Sequence, residues 1–178
     1  DRLAGRCAWL ATELIRGSSV DILLATNNQG KVKELVKLLE GLPFIVHSLK
    51  DFPQIGEIEE TGETFAENAL IKARIAARLS GMLTLADDSG LEVDVLNGGP
   101  GVRSARFAGE PKDDNRNNAK LLALLKNFPP EQRGARFKSV IAIVTPDGEE
   151  FLTEGVCEGI IGFEPKGREG FGYDPLFY

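Results

Sequence analysis

The stretch VDILLATNNQGKVKELVKLLE, Val20 to Glu40, sets the architecture of this chain. VDILLAT is an apolar run of strand length. The polar turn TNNQGK follows, after which Val32, Leu35, Val36 and Leu39 recur at helical spacing on one face. Gly41 and Pro43 stop that helix, and FIVHSL reads as a second strand. Strand, turn, helix and strand in this order make an α/β beginning. The turn looks like a phosphate loop with half of its letters gone. The usual loop has a glycine at each end and a Ser or Thr after its lysine to reach the metal. Here Val32 follows Lys31 and no glycine opens the turn, so if phosphate binds, the metal is held by residues elsewhere.

Further along, GEIEETGETFAENALIKARIAARLSG places Ala66, Ala69, Leu70, Ala73 and Ala77 on one helical face, with Gly81 as the stop and Thr61 or Thr64 as a cap. LTLADDSGLEVDVL reads as two strand-like pieces broken by an acidic turn. NGGPG forces a loop, DDNRNNAKLLALLKNFPP is a capped helix closed by prolines, and RFKSVIAIVTPDGEEFLTEGVCEG alternates around TPDG as a hairpin does. The order is α/β first and β-rich later. The expected fold is a mixed sheet with helices packed on it.

The chain has 178 residues, 42% hydrophobic and 27% charged. That is enough for one well-buried core and too short for two comfortable domains, so residues 20–178 are expected to form one domain, in two lobes at most. A formal net charge of -6 argues against a nucleic-acid duplex as partner, since duplex binding draws on counterion release by Lys and Arg. A small polyanion remains compatible if lysines and a divalent cation offset its charge locally. No apolar run approaches the roughly 18 residues of a membrane span, and Arg6, Glu13 and Arg16 sit where a signal peptide would be apolar. A soluble, cytoplasmic protein with no membrane partner is expected. Cys7 and Cys157 have the spacing of no metal motif and read as buried or half-buried thiols in a reducing compartment. The chain does not begin with methionine, and Met82 is its only one. A processed, trimmed or rearranged chain is the expectation.

Four polar clusters carry possible chemistry. In TNNQGK, amides at a helix N-terminus favour anions, Lys31 adds a point charge, and Thr26 and Asn28 can hydrogen-bond phosphate oxygens; the plainer alternative is an N-capping turn with a solvated lysine. In ADDSG, the adjacent Asp87 and Asp88 repel each other unless a cation or proton intervenes. Mg²⁺ is the natural guest, because it takes carboxylate oxygens and leaves positions for water and phosphate; the alternative is an Asp-rich turn capping the next element. In the third cluster, Glu59 and Glu60 could complete a metal site with Asp88, while Asn68 and Lys72 share one helix face. A solvated acidic loop and an exposed lysine are the alternatives there. In EGFGYDPLFY, glycines flank Phe171, and Tyr173, Asp174 and Pro175 follow. Such a loop can present an aromatic face beside an acid, suited to stacking on a base and accepting its hydrogen bonds, or can simply anchor a turn in the core.

Together, ATNNQGK, ETGETFAENALIKA, ADDSGLEVDVLNGGPGVRSARFAG and GFGYDPLFY occur in the order and approximate spacing of the inosine/xanthosine triphosphate pyrophosphatases, which the chain resembles over about residues 20–178. The resemblance implies an elongated mixed β-sheet with flanking helices, two lobes enclosing a nucleotide cleft, and a homodimer. It also implies Mg²⁺-dependent hydrolysis of noncanonical purine nucleoside triphosphates, ITP, dITP and XTP, to the monophosphate and pyrophosphate. Carried over residue by residue, Thr26, Asn27, Asn28, Gln29, Gly30 and Lys31 would hold the triphosphate. Asp88 would be the general base and a metal ligand, Ser89 would touch the substrate, and Glu59 or its neighbour Glu60 would help bind the metal. Lys72 would face the phosphates, and Phe171, Gly172, Tyr173 and Asp174 would line the nucleoside pocket.

The family's pattern continues past the loop into a helix and a Ser-His-Arg motif that reads the purine 6-oxo edge. This chain ends at Tyr178 without it, and its one histidine, His47, lies in an early strand. The C-terminal part is therefore expected to be missing. Residues 1–19 form an extension, expected to be helical, with Leu3, Leu10 and Leu14 near one face and a stop at Gly17. Either it is unrelated to the family, or it stands in by circular rearrangement for the missing helix with Arg6 near the nucleoside pocket. Two other functions stay open at this point: a nucleotide pyrophosphatase of the Maf-like (septum-inhibitor) family with another base preference, and a non-catalytic nucleotide-binding protein.

Overall fold

In the computed structural model, residues 17, 19–167 and 170–178 are described. The expected N-terminal helix and Arg6 lie outside them. Strand β1 (Val20–Leu24) is buried at four of its five positions, as a strand paired on both edges and covered on both faces must be. On one side it runs parallel to β2 (Phe44–Ser48), with Val20 opposite Phe44 and Leu24 opposite Ser48. On the other it runs parallel to β3 (Leu83–Val93), with Ile22 opposite Leu83 and Leu24 opposite Leu85. Parallel neighbours need crossovers, and helices α1 (Gln29–Leu39) and α2 (Phe65–Ser80) supply them.

The mixed sheet has the order β2-β1-β3-β4-β5, with β4 (Gly134–Val144) and β5 (Glu150–Ile160) last. Residues 145–149 join these two, and only antiparallel strands can be linked so shortly. Arg136 meets Glu158 at 3.0 Å and Lys138 meets Glu154 at 3.2 Å, as opposed chain directions require. The hairpin around TPDG is thus present. Cys157 lies on β5 and is exposed, against the expectation of a buried or half-buried thiol.

The chain divides into two compact units. The first comprises the described residues up to Gly62, with Ala66–Asp87 and Ile141–Thr153; the second comprises Glu63–Phe65, Asp88–Val140 and Glu154–Tyr178. In the first, Val20, Ile22, Leu24, Leu35, Leu83 and Leu85 form the core, and Val32, Leu39, Ile141 and Ile143 pack against it. Val36 is 44% exposed, because Val32, Leu35 and Leu39 already fill the helix stripe and Val36 falls at its edge. On α2, Ala69, Ala73, Ala76 and Ala77 are buried; small side chains bring that helix close to its support.

The core of the second unit is Leu91, Val93, Leu121, Leu125, Ala135, Ile161, Tyr173 and Leu176. Leu121 belongs to helix α3 (Asp114–Leu124), which Asp113 caps by accepting from the Arg116 N–H at 2.8 Å. Arg133 is 1% exposed and donates to the carbonyls of Leu125, Ile161 and Gly162 at 2.6, 2.8 and 2.6 Å. Burial pulls its guanidinium below the ordinary value, while the three carbonyls and the face of Phe163, 4.2 Å away, replace the lost water.

One reading is corrected here. LTLADDSGLEV is a single continuous strand and not two pieces broken by an acidic turn. In a strand consecutive side chains leave on opposite faces, so Asp87 and Asp88 point apart, and the repulsion inferred for a turn is relieved by geometry. Gly90 serves packing. A Cβ there would stand 2.5 Å from both the Gly101 carbonyl and Ser104 Oγ, where Ser104 accepts from the Leu91 N–H at 2.9 Å and donates to Gly101 O at 2.6 Å.

Candidate active site

The polar turn after β1 is built on Asn28. Its Oδ1 accepts from the N–H groups of Gly30 and Lys31 at 2.9 and 3.3 Å, which makes it the N-cap of α1. Thr26 is buried, and its Oγ1 accepts from the Asn28 N–H at 3.2 Å. Asn27 and Gln29 are exposed on the same turn. TNNQGK is therefore a capping turn, but its lysine is not solvated: Lys31 Nζ lies 2.5 Å from Asp87 Oδ2 on β3.

Lys72 is held in the same manner. Its Nζ lies 2.6 Å from Glu60 Oε1, and one turn earlier Asn68 Oδ1 accepts from the Gly62 N–H at 2.7 Å. Asn68 and Lys72 do share a helix face, and both reach back to the segment that leads into their own helix. Glu60 is half-buried and Glu59 exposed. Each lysine expected to face phosphate thus has a carboxylate beside it.

Asp87 and Asp88 are 5% and 7% exposed, and the boundary between the two units falls between them. Asp88 Oδ1 accepts from the Ser89 N–H at 2.9 Å. Asp87 Oδ1 is buried without a hydrogen-bond partner among the described residues. A carboxylate oxygen in that condition suits a cation or an ordered water. Among the described residues no three His, Cys, Asp or Glu side chains converge to hold a metal ion. Mg²⁺ asks for less, needing one or two carboxylates with waters and substrate phosphates.

In the second unit, the loop Gly170–Pro175 turns on two glycines in the left-handed region, Gly170 at φ +83° and Gly172 at φ +60°. A side chain at Gly170 would collide with the Asp174 carboxylate, whose Oδ2 accepts from the Phe171 N–H at 2.9 Å. Phe171 is 42% exposed and displays its ring. Tyr173 does the opposite: it is buried, and its OH donates to Ser104 O at 2.8 Å. Burial, with the nearby Asp114 carboxylate adding to it, holds that phenol well above the ordinary tyrosine range. The anchoring reading fits Tyr173, and Phe171 is left exposed.

Three residues that the sequence reading left out of the site matter here. Asp87 was read with Asp88 as a pair inviting a cation, but Asp88 alone was named for the site, and the pairing of Asp87 with Lys31 was not foreseen. Asp114 Oδ2 accepts from the Gly172 N–H at 2.8 Å, and Asn118 Nδ2 donates to Gly172 O at 2.9 Å. The signal for Asn118 was its place in the apolar stripe of α3, three residues before the buried Leu121, where a leucine would be the usual choice.

The Ham1 family profile matches residues 22–178. A dITP/XTP pyrophosphatase of Desulforamulus reducens is 60% identical over 157 residues, covering 88% of this chain and 78% of that protein. One of Geobacter sulfurreducens is 51% identical, covering 88% and 79%. Among solved structures, a HAM1 protein from Coxiella burnetii superposes with a TM-score of 0.82 at 43% identity, covering 89% of this chain and 81% of that one. A nucleoside-triphosphatase, or dITP/XTP pyrophosphatase, from Mycobacterium abscessus gives a TM-score of 0.77 at 50% identity, covering 88% and 82%. On sequence and on fold alike, this chain belongs to the Ham1 family.

Proposed function

We infer that this chain hydrolyses noncanonical purine nucleoside triphosphates, dITP and XTP with ITP beside them, to the monophosphate and pyrophosphate. The observation that carries the reading is 60% identity to a dITP/XTP pyrophosphatase over 88% of the chain. The capped turn with Lys31, the carboxylates of β3 and the exposed ring of Phe171 are the kinds of group that the reaction needs.

The chain's own residues divide the work. Lys31, with Thr26 through Gly30, holds the triphosphate as a point charge beside a helix N-terminus, and Lys72 offsets further phosphate charge. Asp88 accepts a proton from the attacking water as its oxygen bonds to phosphorus. The bridging oxygen of the α–β anhydride departs with pyrophosphate. Such a base contributes roughly 10²- to 10⁴-fold, so charge stabilisation and alignment supply the rest. Ser89 contacts the substrate, and Phe171 stacks on the purine while Gly172, Tyr173 and Asp174 shape the loop that carries it. A divalent cation, Mg²⁺ in this reading, would be held by Asp88 with Glu59 or Glu60, leaving Asp87 to Lys31, and when bound would offset phosphate charge.

A homodimer belongs to the same proposal, and light scattering of the purified chain tests it. No described helix is long and apolar enough to cross a membrane. The deciding assay is pyrophosphate release from ITP, dITP and XTP against ATP and GTP at fixed Mg²⁺. Faster release from the first three supports the function. No release, or a preference for ATP and GTP, overturns it.

A further inference from the structure

Both backbone polar groups of Gly172 are held by one helix. Its N–H goes to Asp114 and its C=O to Asn118, at 2.8 and 2.9 Å, and these two residues stand four apart on α3, on one face. The grip is more than the helix start needs, because Asp113 already caps α3. It is also more than the loop needs to close, since Asp174 holds the Phe171 N–H and Tyr173 reaches Ser104. Asn118 is 8% exposed, and its Oδ1 has no hydrogen-bond partner among the described residues. An amide with one unsatisfied buried acceptor is a poor choice for packing alone. What it does accomplish is the bond to Gly172.

Gly172 sits at φ +60°, and a glycine leaves such a conformation as readily as it enters it. With a second glycine before Phe171, the ring would sample many directions unless the peptides around it were fixed. A ligand that has to order its own binding loop loses that ordering entropy from its affinity.

We propose that Asp114 and Asn118 are positioning residues for nucleoside binding, clamping both sides of Gly172 so that the Phe171 ring is already aimed at the purine. The proposal rests on the reading of Phe171–Asp174 as the nucleoside-contacting loop. It acts on base affinity and leaves phosphate affinity alone.

The test uses the full chain with Asp114→Ala and Asp114→Asn. Asp114 is exposed, so neither change disturbs the core, and the asparagine keeps an oxygen that can accept from Gly172. Three quantities are measured: hydrogen exchange of the Gly172 amide by NMR, and calorimetric affinities for inosine monophosphate and for inorganic pyrophosphate. The alanine variant is expected to exchange the Gly172 amide faster and to bind inosine monophosphate about tenfold more weakly, the scale of one lost charge-assisted bond. Pyrophosphate affinity stays within twofold, and Asp114→Asn stays near wild type in all three. Unchanged exchange in Asp114→Ala overturns the clamp. Faster exchange with unchanged nucleotide affinity overturns its role in binding, as do equal losses for both ligands, equal losses in both variants, or a wild-type chain that does not bind inosine monophosphate. None of these measurements requires turnover, so an inactive wild type that still binds the nucleotide counts against the proposed reaction and not against the clamp.

Discussion

Lys31 Nζ lies 2.5 Å from Asp87 Oδ2, and the two side chains are only 18% and 7% exposed. The cation of the turn and the first acid of the β3 pair are therefore one unit, so an anion arriving at the turn has to share Lys31 with a carboxylate. Removing one partner strands the other. Lys31→Ala is expected to lower stability by about 3–5 kcal/mol, the range for breaking a buried pair. Lys31→Met combined with Asp87→Asn should recover more than half of that. Urea denaturation of the two variants checks this, and equal losses in both would show that the pair is not coupled.

The same double variant separates phosphate from base. With the charge gone, inhibition by pyrophosphate is expected to weaken by at least about tenfold, as for loss of a charge-assisted contact, while inhibition by inosine changes little. Parallel losses for both inhibitors would make the turn a purely structural element.

Asp88→Asn keeps the side-chain shape and an oxygen for the Ser89 N–H, but removes the proton acceptor. Turnover is expected to fall by at least about 10²-fold with the melting temperature nearly unchanged. Activity within threefold of wild type would take Asp88 out of the mechanism.

Gly90→Ala puts a methyl group against Gly101 O and Ser104 Oγ. Overpacking of this kind costs about 1–3 kcal/mol. Ser104→Ala leaves the Leu91 N–H buried without its acceptor, at a similar cost. Denaturant midpoints of the two single variants and the double test the link: because the lost contacts are shared, the double variant should fall short of the sum.

Glu150 is held below its ordinary value by the hydrogen bond from Arg74, whose Nε and Nη2 reach it at 2.5 and 2.8 Å. A depressed carboxylate stabilises the fold above its unfolded pKa and loses that contribution as pH falls through the folded one. The pair is substantially exposed, so Glu150→Gln is expected to lower stability by no more than about 1 kcal/mol at pH 7. The difference should vanish below the carboxylate range, near pH 3. Urea titrations at the two pH values check it, and a difference that persists in acid would contradict the ion-pair account.

What was legible in the sequence was local. The apolar run of β1, the Leu35 and Leu39 stripe of α1, the alanine face of α2 and the turn TPDG each announce themselves within a few residues, because periodicity and turn chemistry are short-range properties. The strand β3 was misread for the complementary reason. Asp-Asp-Ser-Gly has the composition of a turn, and what allows it inside a strand is supplied from elsewhere: Lys31 for Asp87, and the approach of Gly101 and Ser104 to Gly90. The grip on Gly172 was equally hidden, since its partners lie 58 and 54 residues away. Local signals placed the elements, and the contacts distant in sequence had to come from the structure.

The threading of the chain through its two units has a consequence for synthesis. The first unit takes Ile141–Thr153 and the second takes Glu63–Phe65, so neither is a contiguous stretch that can be completed as it leaves the ribosome. After Asp87 has emerged, β3 waits for the part of β4 that pairs beside it in the first unit. At ordinary translation rates that delay is about 3–10 s. During it an apolar strand edge stands open beside a half-made core, a condition that favours aggregation in nascent chains generally.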